Sequence, residues 1–416
     1  MAEEGGTCLM DGVAKSAEKD PHKPAGLFRF VARRQQWTHY LGGTAMCLLA
    51  LQIVTGFLLL LYYQPNARDA HESVRIIMVD IPMGWIIRTL HYRSSHCLIV
   101  IVMLHTLDVL LAKTFRRKRS PTYYTGVLLL FAVLFMGFTG YLLPWDTLSV
   151  VATAVGTGLP SEIPLIGPYI TEFFRGASTI GAQTLPRFFA LHVSMLPMIV
   201  GLALGFHIFF LRQHGMRRPM GPQGNRVPLY PDFMLRQSLV SLWVFSILLT
   251  VAILWPAELR LEGDLLAPAP EGTRPEWYFL AAFEVIKWGG HLTFLTPLGI
   301  TAELLSLILF AVAIGVFVLM PTLDRKGPGF TWRWIIRAVA VAFVGLTLYA
   351  MLKSAPDAEL ATDVAGRISE LRTRALGFLA PFWFSVLTLT WLLNSQIRLH
   401  DRITASNMST HVARNR

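Results

Sequence analysis

Two apolar stretches decide the fold of this chain: WIIRTLHYRSSHCLIVIVMLHTLDVLL at Trp85–Leu111 and RFFALHVSMLPMIVGLALGFHIFFL at Arg187–Leu211. His91 and His105 in the first are 14 residues apart, and His192 and His207 in the second are 15 apart. Along an α-helix, such intervals return to within roughly 40° and 60° of the same face and rise about 21 to 23 Å. Two neighbouring helices could therefore hold two metal centres, one above the other, across a bilayer core of about 30 Å.

The composition predicts a membrane protein. Only 15% of the 416 residues are charged, and the mean hydropathy is +0.49. We expect an all-α integral membrane protein with about eight transmembrane helices, the first four forming a four-helix bundle around the metal centres. The eight apolar stretches are Tyr40–Tyr63, Trp85–Leu111, Tyr123–Leu143, Phe188–Leu211, Ser238–Trp255, Ala302–Met320, Trp334–Met351 and Leu376–Leu393.

Basic residues indicate the orientation in the membrane. KTFRRKRS follows the second stretch, RQHGMRRPMGPQGNR the fourth and DRKGPGFTWRWIIR the sixth, whereas the opposite connections are acidic or mixed. The positive-inside rule then places both termini in the cytoplasm, so the net charge of +11 reflects topology. A nucleic-acid surface is the less favoured interpretation, because the basic residues are dispersed over loops that border spans.

The cysteines and the N-terminal segment carry no site. Cys8, Cys47 and Cys97 lack metal-ligand spacing, and their number and placement argue against a disulfide framework. Residues 1–32 are predicted to be a polar cytoplasmic tail, because the first 25 residues lack the apolar core of a signal peptide.

The paired histidines favour haem over zinc. Histidine inside a membrane helix is costly without a partner, so it indicates function, although one such residue could simply hydrogen-bond a neighbouring helix. Zinc would require further Cys or carboxylate ligands, and none accompanies these residues. Bis-histidine haem needs one imidazole on each side of the macrocycle, which matches two pairs on two helices. His96 lies about 140° round the helix from His91, so we expect it to pack or hydrogen-bond and not to ligate.

Glycines repeat the histidine interval. Gly42 and Gly56 on the first span, like Gly126 and Gly140 on the third, are 14 residues apart. A porphyrin edge needs helix surface without side chains at the height of its ligands, although close helix packing is the common reason for membrane glycine. We also expect Arg88 and Arg187 to pair with haem propionates, the alternative being snorkelling to the interface.

These residues identify a resemblance. LGGTAMCLLALQIVTGF, GWIIRTLHYRSSH, GFTGYLLPWD, TLPRFFALH and PEWYF at Pro275–Phe279 resemble cytochrome b, the membrane subunit of cytochrome bc and bf complexes, over about residues 33–393. The 15-residue interval resembles the bf branch, in which the haem-bearing half and the PEWYF half are separate chains. Here the two are fused, which is similar to a single-chain bacterial form.

Two departures from the family pattern affect the cofactors. Where bf proteins carry a cysteine for a covalent haem, this chain has Tyr40, and Cys47 lies nearly two turns deeper. We therefore expect two non-covalent b-type haems and no covalent haem. Asp108 stands where the family commonly has arginine, so the resemblance assigns no propionate partner to the cytoplasmic-side haem.

The resemblance implies a domain plan and a cellular location. Residues 33–220 would form the dihaem bundle, residues 221–400 a second membrane domain with the PEWYF loop and four helices, and residues 401–416 a cytoplasmic tail. The chain would lie in the bacterial inner membrane. His91 and His192 would hold the low-potential haem near the non-cytoplasmic side, and His105 and His207 the high-potential haem.

The resemblance also implies a Q cycle. Quinol would be oxidised on the non-cytoplasmic side, where Glu276 is the expected proton acceptor, since burial raises a carboxylate pKa towards the working pH. Tyr141, Pro275, Trp277 and Tyr278 would border this pocket. Quinone would be reduced near the cytoplasmic face, with Arg212, His214 and Asp232 chosen as candidates by position alone.

The expected activity is that of a quinol:cytochrome c, or plastocyanin-type acceptor, oxidoreductase. The implied partners are a Rieske iron–sulfur protein, a c-type cytochrome, a membrane quinone and a second copy of the complex. Two alternatives are a dihaem anchor of another respiratory dehydrogenase or reductase, which would lack PEWYF, and a proton-coupled transporter, which would be colourless.

Overall fold

Apolar helices make up most of the chain in the computed structural model, which describes residues 30–32, 37–215, 226–228, 233–270, 272–289, 301–324, 330–353 and 362–414. The first half contains α1 (Leu41–Leu60), α2 (Ala70–Val79), α3 (Gly84–Leu111), α4 (Ser120–Tyr141), α5 (Thr147–Gly158), α6 (Gly167–Arg175) and α7 (Thr184–His214). The second contains α8 (Met234–Leu254), α9 (Trp277–Gly289), α10 (Ala302–Val318), α11 (Phe330–Leu352), α12 (Thr362–Leu376) and α13 (Leu379–Arg414). Two three-residue strands, Phe30–Ala32 and Arg226–Pro228, pair antiparallel.

Most of the predicted spans are confirmed. Within the described residues, six helices are long and apolar enough to cross a membrane: α1 with the turn before it, α3, α4, α7, α8 and α11. The sixth predicted stretch is α10, an apolar helix of 17 residues, just below the usual length of a span. The eighth, Leu376–Leu393, lies mainly in α13, which meets α12 at a bend of 49°, and the two helices together could form one broken span.

The first four spans pack in two pairs. α1 packs along α3, α4 packs along α7, and α3 contacts α4 between the pairs. Because hydrophobic attraction between helices is weak in lipid, small residues and interhelical hydrogen bonds favour such close pairs. On the outside of the bundle α8 packs against α3 and α1, while α9 lies against α10 and α11.

A buried ion pair joins the two halves of the chain near the end of α3. Arg116 donates to both carboxylate oxygens of Asp324, at 2.8 and 2.6 Å, and Lys113 lies 3.3 Å from the same carboxylate. Burial opposes ionisation of Asp324, but the hydrogen bonds from Arg116 and Lys113 outweigh it and hold its pKa below the usual value. Removal of either partner alone would leave a buried charge less compensated.

A π-helical turn interrupts α7 at Leu191–Met195. The backbone N–H of Leu196 bonds to the carbonyl of Leu191, five residues earlier, and Pro197 follows without an N–H of its own. The wider turn accommodates one extra residue. With this extra residue, the 15-residue interval from His192 to His207 brings the two rings to the same relative positions as a 14-residue interval in a regular helix. This explains why the intervals of the two histidine pairs differ by one residue.

Candidate functional site

Each of the four histidines faces one of the four glycines on the neighbouring helix. A Cβ added to Gly56 would lie 3.1 Å from Cε1 of His91, and one added to Gly140 would lie 2.7 Å from Cε1 of His192. The corresponding distances are 3.7 Å from Gly42 to His105 and 3.2 Å from Gly126 to His207. The glycines on α1 and α4 thus leave room for imidazole rings that extend from α3 and α7.

Threonine hydroxyls fix three of the four rings. Thr55, Thr125 and Thr139 lie 2.9, 3.1 and 3.1 Å from Nδ1 of His91, His207 and His192 respectively. Each hydroxyl also donates its hydrogen to a carbonyl one turn earlier in its own helix.

The threonine contacts favour one of the two tautomers of each ring. A hydroxyl has one hydrogen, and each threonine has a backbone carbonyl to receive it, which leaves the threonine oxygen free to accept from the imidazole. The Nδ1 atom of each of these three rings then carries the proton and Nε2 keeps a lone pair. This is the tautomer that a metal ligand bound through Nε2 requires.

His105 differs from the other three. Its Nδ1 is buried without a hydrogen-bond partner among the described residues. The residue that precedes each glycine explains the difference: it is threonine before Gly56, Gly126 and Gly140, but Leu41 before Gly42. In the sequence, three Thr-Gly dipeptides therefore mark the histidines whose Nδ1 has a hydroxyl partner. The histidine and glycine intervals alone do not distinguish these three histidines from His105.

The His91 and His192 rings have the separation of a bis-histidine metal site. Their centroids are 6.3 Å apart, with an angle of 77° between the ring planes. Metal–imidazole bonds of about 2 Å on both sides of one metal place the ring centroids roughly 6 Å apart. No group of three or more His, Cys, Asp or Glu side chains with metal-binding geometry occurs in the described part of the chain. The donor set therefore fits haem, which brings four ligands of its own.

The predicted propionate partners bond to backbone carbonyls. Arg88 donates to the carbonyls of Ala257 and Glu258, at 3.3 and 3.1 Å, and so connects α3 to the segment after α8. Arg187 donates to the carbonyl of Phe173 at 3.2 Å, at the end of α6. Each guanidinium has further N–H groups, and pairing with propionates stays a prediction for both.

The PEWYF segment brings Glu276 against α3. Tyr92 donates its hydroxyl to one carboxylate oxygen of Glu276 at 3.0 Å, and Nε2 of His96 lies 3.9 Å from the other. Trp277 donates its indole N–H to Nδ1 of His96 at 2.8 Å, so His96 is a hydrogen-bonding residue, as the sequence predicts. Burial raises the pKa of Glu276 above its usual value, although the Tyr92 hydrogen bond and the charges of Arg260 and Arg93 partly offset it.

The structure brings the other predicted pocket residues to the same place. Tyr278 is buried, and its hydroxyl would lie 3.0 Å from a Cβ at Gly137 on α4. Tyr141, at the end of α4, interacts electrostatically with Glu276, while Pro275 is half-buried beside it. Asp146 caps α5 by accepting from the backbone N–H of Ser149 at 2.9 Å, and its backbone pairs with Glu262. GYLLPWD and PEWYF therefore form one cluster.

Two of the predicted quinone-reduction residues, Arg212 and His214, lie at the end of α7. Nδ1 of His214 lies 3.1 Å from the Thr122 hydroxyl at the start of α4, and its ring stacks on Phe210 with centroids 6.3 Å apart. Arg212 lies in the last turn of α7. Asp232 lies outside the described residues.

Tyr40, the residue on which the prediction of no covalent haem rests, packs at the start of α1. Its ring stacks on Phe233 with a centroid distance of 5.4 Å and an angle of 6°. Cys47 is exposed, and its sulfur accepts a 3.2 Å hydrogen bond from Ser241.

Comparisons with known proteins agree with this geometry. The family model described as Cytochrome b/b6/petB matches residues 30–215, and the model described as Cytochrome b(C-terminal)/b6/petD matches residues 266–373. The cytochrome bc complex cytochrome b subunit of Chlorobaculum thiosulfatiphilum is 35% identical over 326 residues, which are 75% of this chain and 72% of that protein. The chain belongs to the cytochrome b family.

One further relative and one solved structure are also similar to this chain. Cytochrome b6 of Trichodesmium erythraeum is 36% identical over 180 residues, covering 43% of this chain and 81% of that protein. A chain in a solved structure of a hyperthermophilic respiratory Complex III is similar over 87% of this chain and 93% of that chain. The TM-score is 0.69 and the sequence identity is 23%, so this match supports the fold. Membership of the family implies b-type haem binding and electron transfer in quinol oxidation, and it sets aside the anchor and transporter alternatives.

Proposed function

We propose that this cytochrome b oxidises quinol on the non-cytoplasmic side of a bacterial inner membrane and reduces quinone on the cytoplasmic side, in a Q cycle. The observation that carries the proposal is the set of four histidines, each opposite a glycine, at two heights of one helical bundle. Two non-covalent b-type haems would be held by His91 with His192 and by His105 with His207. When bound, they would supply two one-electron carriers, one above the other in the membrane.

The chain's own residues would orient the ligands and exclude water. Thr55, Thr125 and Thr139 hold three imidazoles in the ligating tautomer, so little reorganisation is needed when a metal binds. At the quinol pocket, the aromatic side chains around Glu276 exclude water and so raise its proton affinity. As a carboxylate, Glu276 can take one of the two protons that quinol loses when it becomes quinone.

The partners follow from the chemistry of the described residues and from the relatives of the chain. Among the described residues no Cys/His group could hold an iron–sulfur centre. We propose that a Rieske partner supplies this centre, takes the first electron from quinol and passes it to a c-type cytochrome. We further propose that residues 33–220 and residues 221–400 form the two membrane domains. Both termini would lie in the cytoplasm, and the complex would be a homodimer.

Oxidant-induced reduction tests the proposal. In the purified complex with quinol present, quinone reduction blocked and the b haems partly reduced, a pulse of oxidant for the Rieske branch should cause further reduction of b haem. The reason is that, once the oxidant has drawn one electron from quinol, the second electron passes to the b haems. A control pulse without quinol should only oxidise haem. Simple oxidation of b haem with quinol present would contradict the divided electron path.

A further inference from the structure

Tyr92 and His96 lie one helical turn apart on α3, on the face that meets Glu276. The Tyr92 hydroxyl contacts one carboxylate oxygen at 3.0 Å and His96 Nε2 lies 3.9 Å from the other. Both oxygens of Glu276 are thus directed towards the helix that carries His91. The side chain of Glu276 is 14% exposed, so this contact is largely screened from solvent.

Trp277 controls the orientation of His96. An indole N–H can only donate, so Nδ1 of His96 must accept the 2.8 Å hydrogen bond from Trp277. In the neutral imidazole the hydrogen then resides on Nε2, the atom that faces Glu276. Ring contacts hold the arrangement: the His96 ring centroid lies 4.5 Å from that of Tyr92 and 5.9 Å from that of Tyr278.

We propose that Tyr92 and His96 are positioning residues that hold the Glu276 carboxylate in its ionised form, ready to accept the quinol proton. The role of Glu276 itself rests on the proposed function. Tyr92 supplies a direct hydrogen bond, and His96, with its tautomer fixed by Trp277, supplies a second N–H directed at the same carboxylate. Neither residue touches the quinol proton; both act through Glu276.

Burial and the neighbouring groups together set the pKa of Glu276. Burial has the largest effect and raises the pKa, and the Tyr92 hydrogen bond has the next largest and lowers it. The charges of Arg260 and Arg93 lower the pKa further, and Asp146 raises it. The phenols of Tyr141 and Tyr278 complete the surroundings, and both interact electrostatically with Glu276. Loss of the Tyr92 hydroxyl would therefore leave burial less opposed and raise the pKa of Glu276.

Infrared titration of the carboxyl group tests this proposal without turnover. In the oxidised, purified complex, the protonated-carboxyl C=O band that disappears in Glu276→Gln reports Glu276. Tyr92→Phe should move the midpoint of this band upward by about one pH unit, a tenfold change in proton affinity, because a hydrogen bond to a charged group is lost. Tyr63→Phe, which removes a phenol that donates to the carbonyl of Leu143 at 2.7 Å, should leave the midpoint unchanged.

His96 gives a second comparison. His96→Leu should raise the midpoint by a smaller amount, and His96→Gln should restore part of the shift, since an amide can accept from Trp277 and donate towards Glu276. Haem spectra should be unchanged in all variants. An unmoved midpoint in Tyr92→Phe would overturn the proposal. If the midpoints move as expected but Glu276→Gln leaves turnover unchanged, only the proposed catalytic role of Glu276 fails.

Discussion

His207→Leu should remove one of the two b-type haems and leave the other in place. The expected haem content of the purified chain is half that of the wild type, and the high-potential component of the reduced spectrum should be missing. Leucine fills much of the imidazole volume but has no lone pair for iron. The His91–His192 pair lies at the other height of the bundle and keeps its Thr55 and Thr139 contacts.

A matched histidine on the same helix controls for nonspecific loss. His214→Leu, which changes a ring bonded to Thr122 and not opposed by any of the four glycines, should retain both haems. His192→Leu should remove the low-potential component instead. Retention of both haems in His207→Leu would be incompatible with the assignment of that residue as a ligand.

Glu276→Gln should slow quinol oxidation about a hundredfold, the lower end of what a positioned general base contributes. Glutamine preserves the shape of the side chain and can still accept from Tyr92, but it cannot take a proton at working pH. Stopped-flow reduction of b haem by quinol measures the step directly, and haem spectra should stay intact. In the wild type, the rate should rise with pH through the raised pKa of Glu276, and this limb should be lost in the variant.

The control for this variant is an exposed carboxylate in the neighbouring loop. Glu262→Gln changes the charge near Asp146, to which the Glu262 backbone pairs, but Glu262 is exposed and outside the Glu276 cluster. It should oxidise quinol at the wild-type rate. Equal rates in Glu276→Gln and wild type would remove Glu276 from the reaction.

The sequence predicted the long apolar helices well because span length and hydropathy are local properties. Six of the eight predicted stretches form helices of full span length. The sequence could not predict that the helix of the eighth stretch meets a preceding helix, Thr362–Leu376, at a bend. That helix is charged and amphipathic, and tertiary packing determines its partners. The same limit applies to the π turn at Leu191–Met195, which the 15-residue interval is compatible with but does not require.

The site was predictable to a similar degree. The 14-residue glycine intervals, close to the histidine intervals of 14 and 15, predicted that glycines and ligands lie at the same two heights. The interpretation of the sequence assigned this space to a porphyrin edge, whereas each glycine faces an imidazole ring. The Thr-Gly dipeptides were visible but needed the structure to show that threonine oxygens reach Nδ1. Tyr92 had no sequence signal as a partner of Glu276, since 184 residues separate them and only the fold of α9 against the bundle brings them together.

The most direct test of the central claim is a potentiometric titration of the b-type absorbance of the purified wild-type chain in its complex. The claim is that His91, His105, His192 and His207 hold two haems at two heights of one bundle. Two one-electron steps of equal amplitude, at separate midpoints, are expected, since Nδ1 of His105 lacks the threonine contact that the other three histidines have. A single step equal to one haem per chain, or the absence of any b-type signal, would contradict the claim.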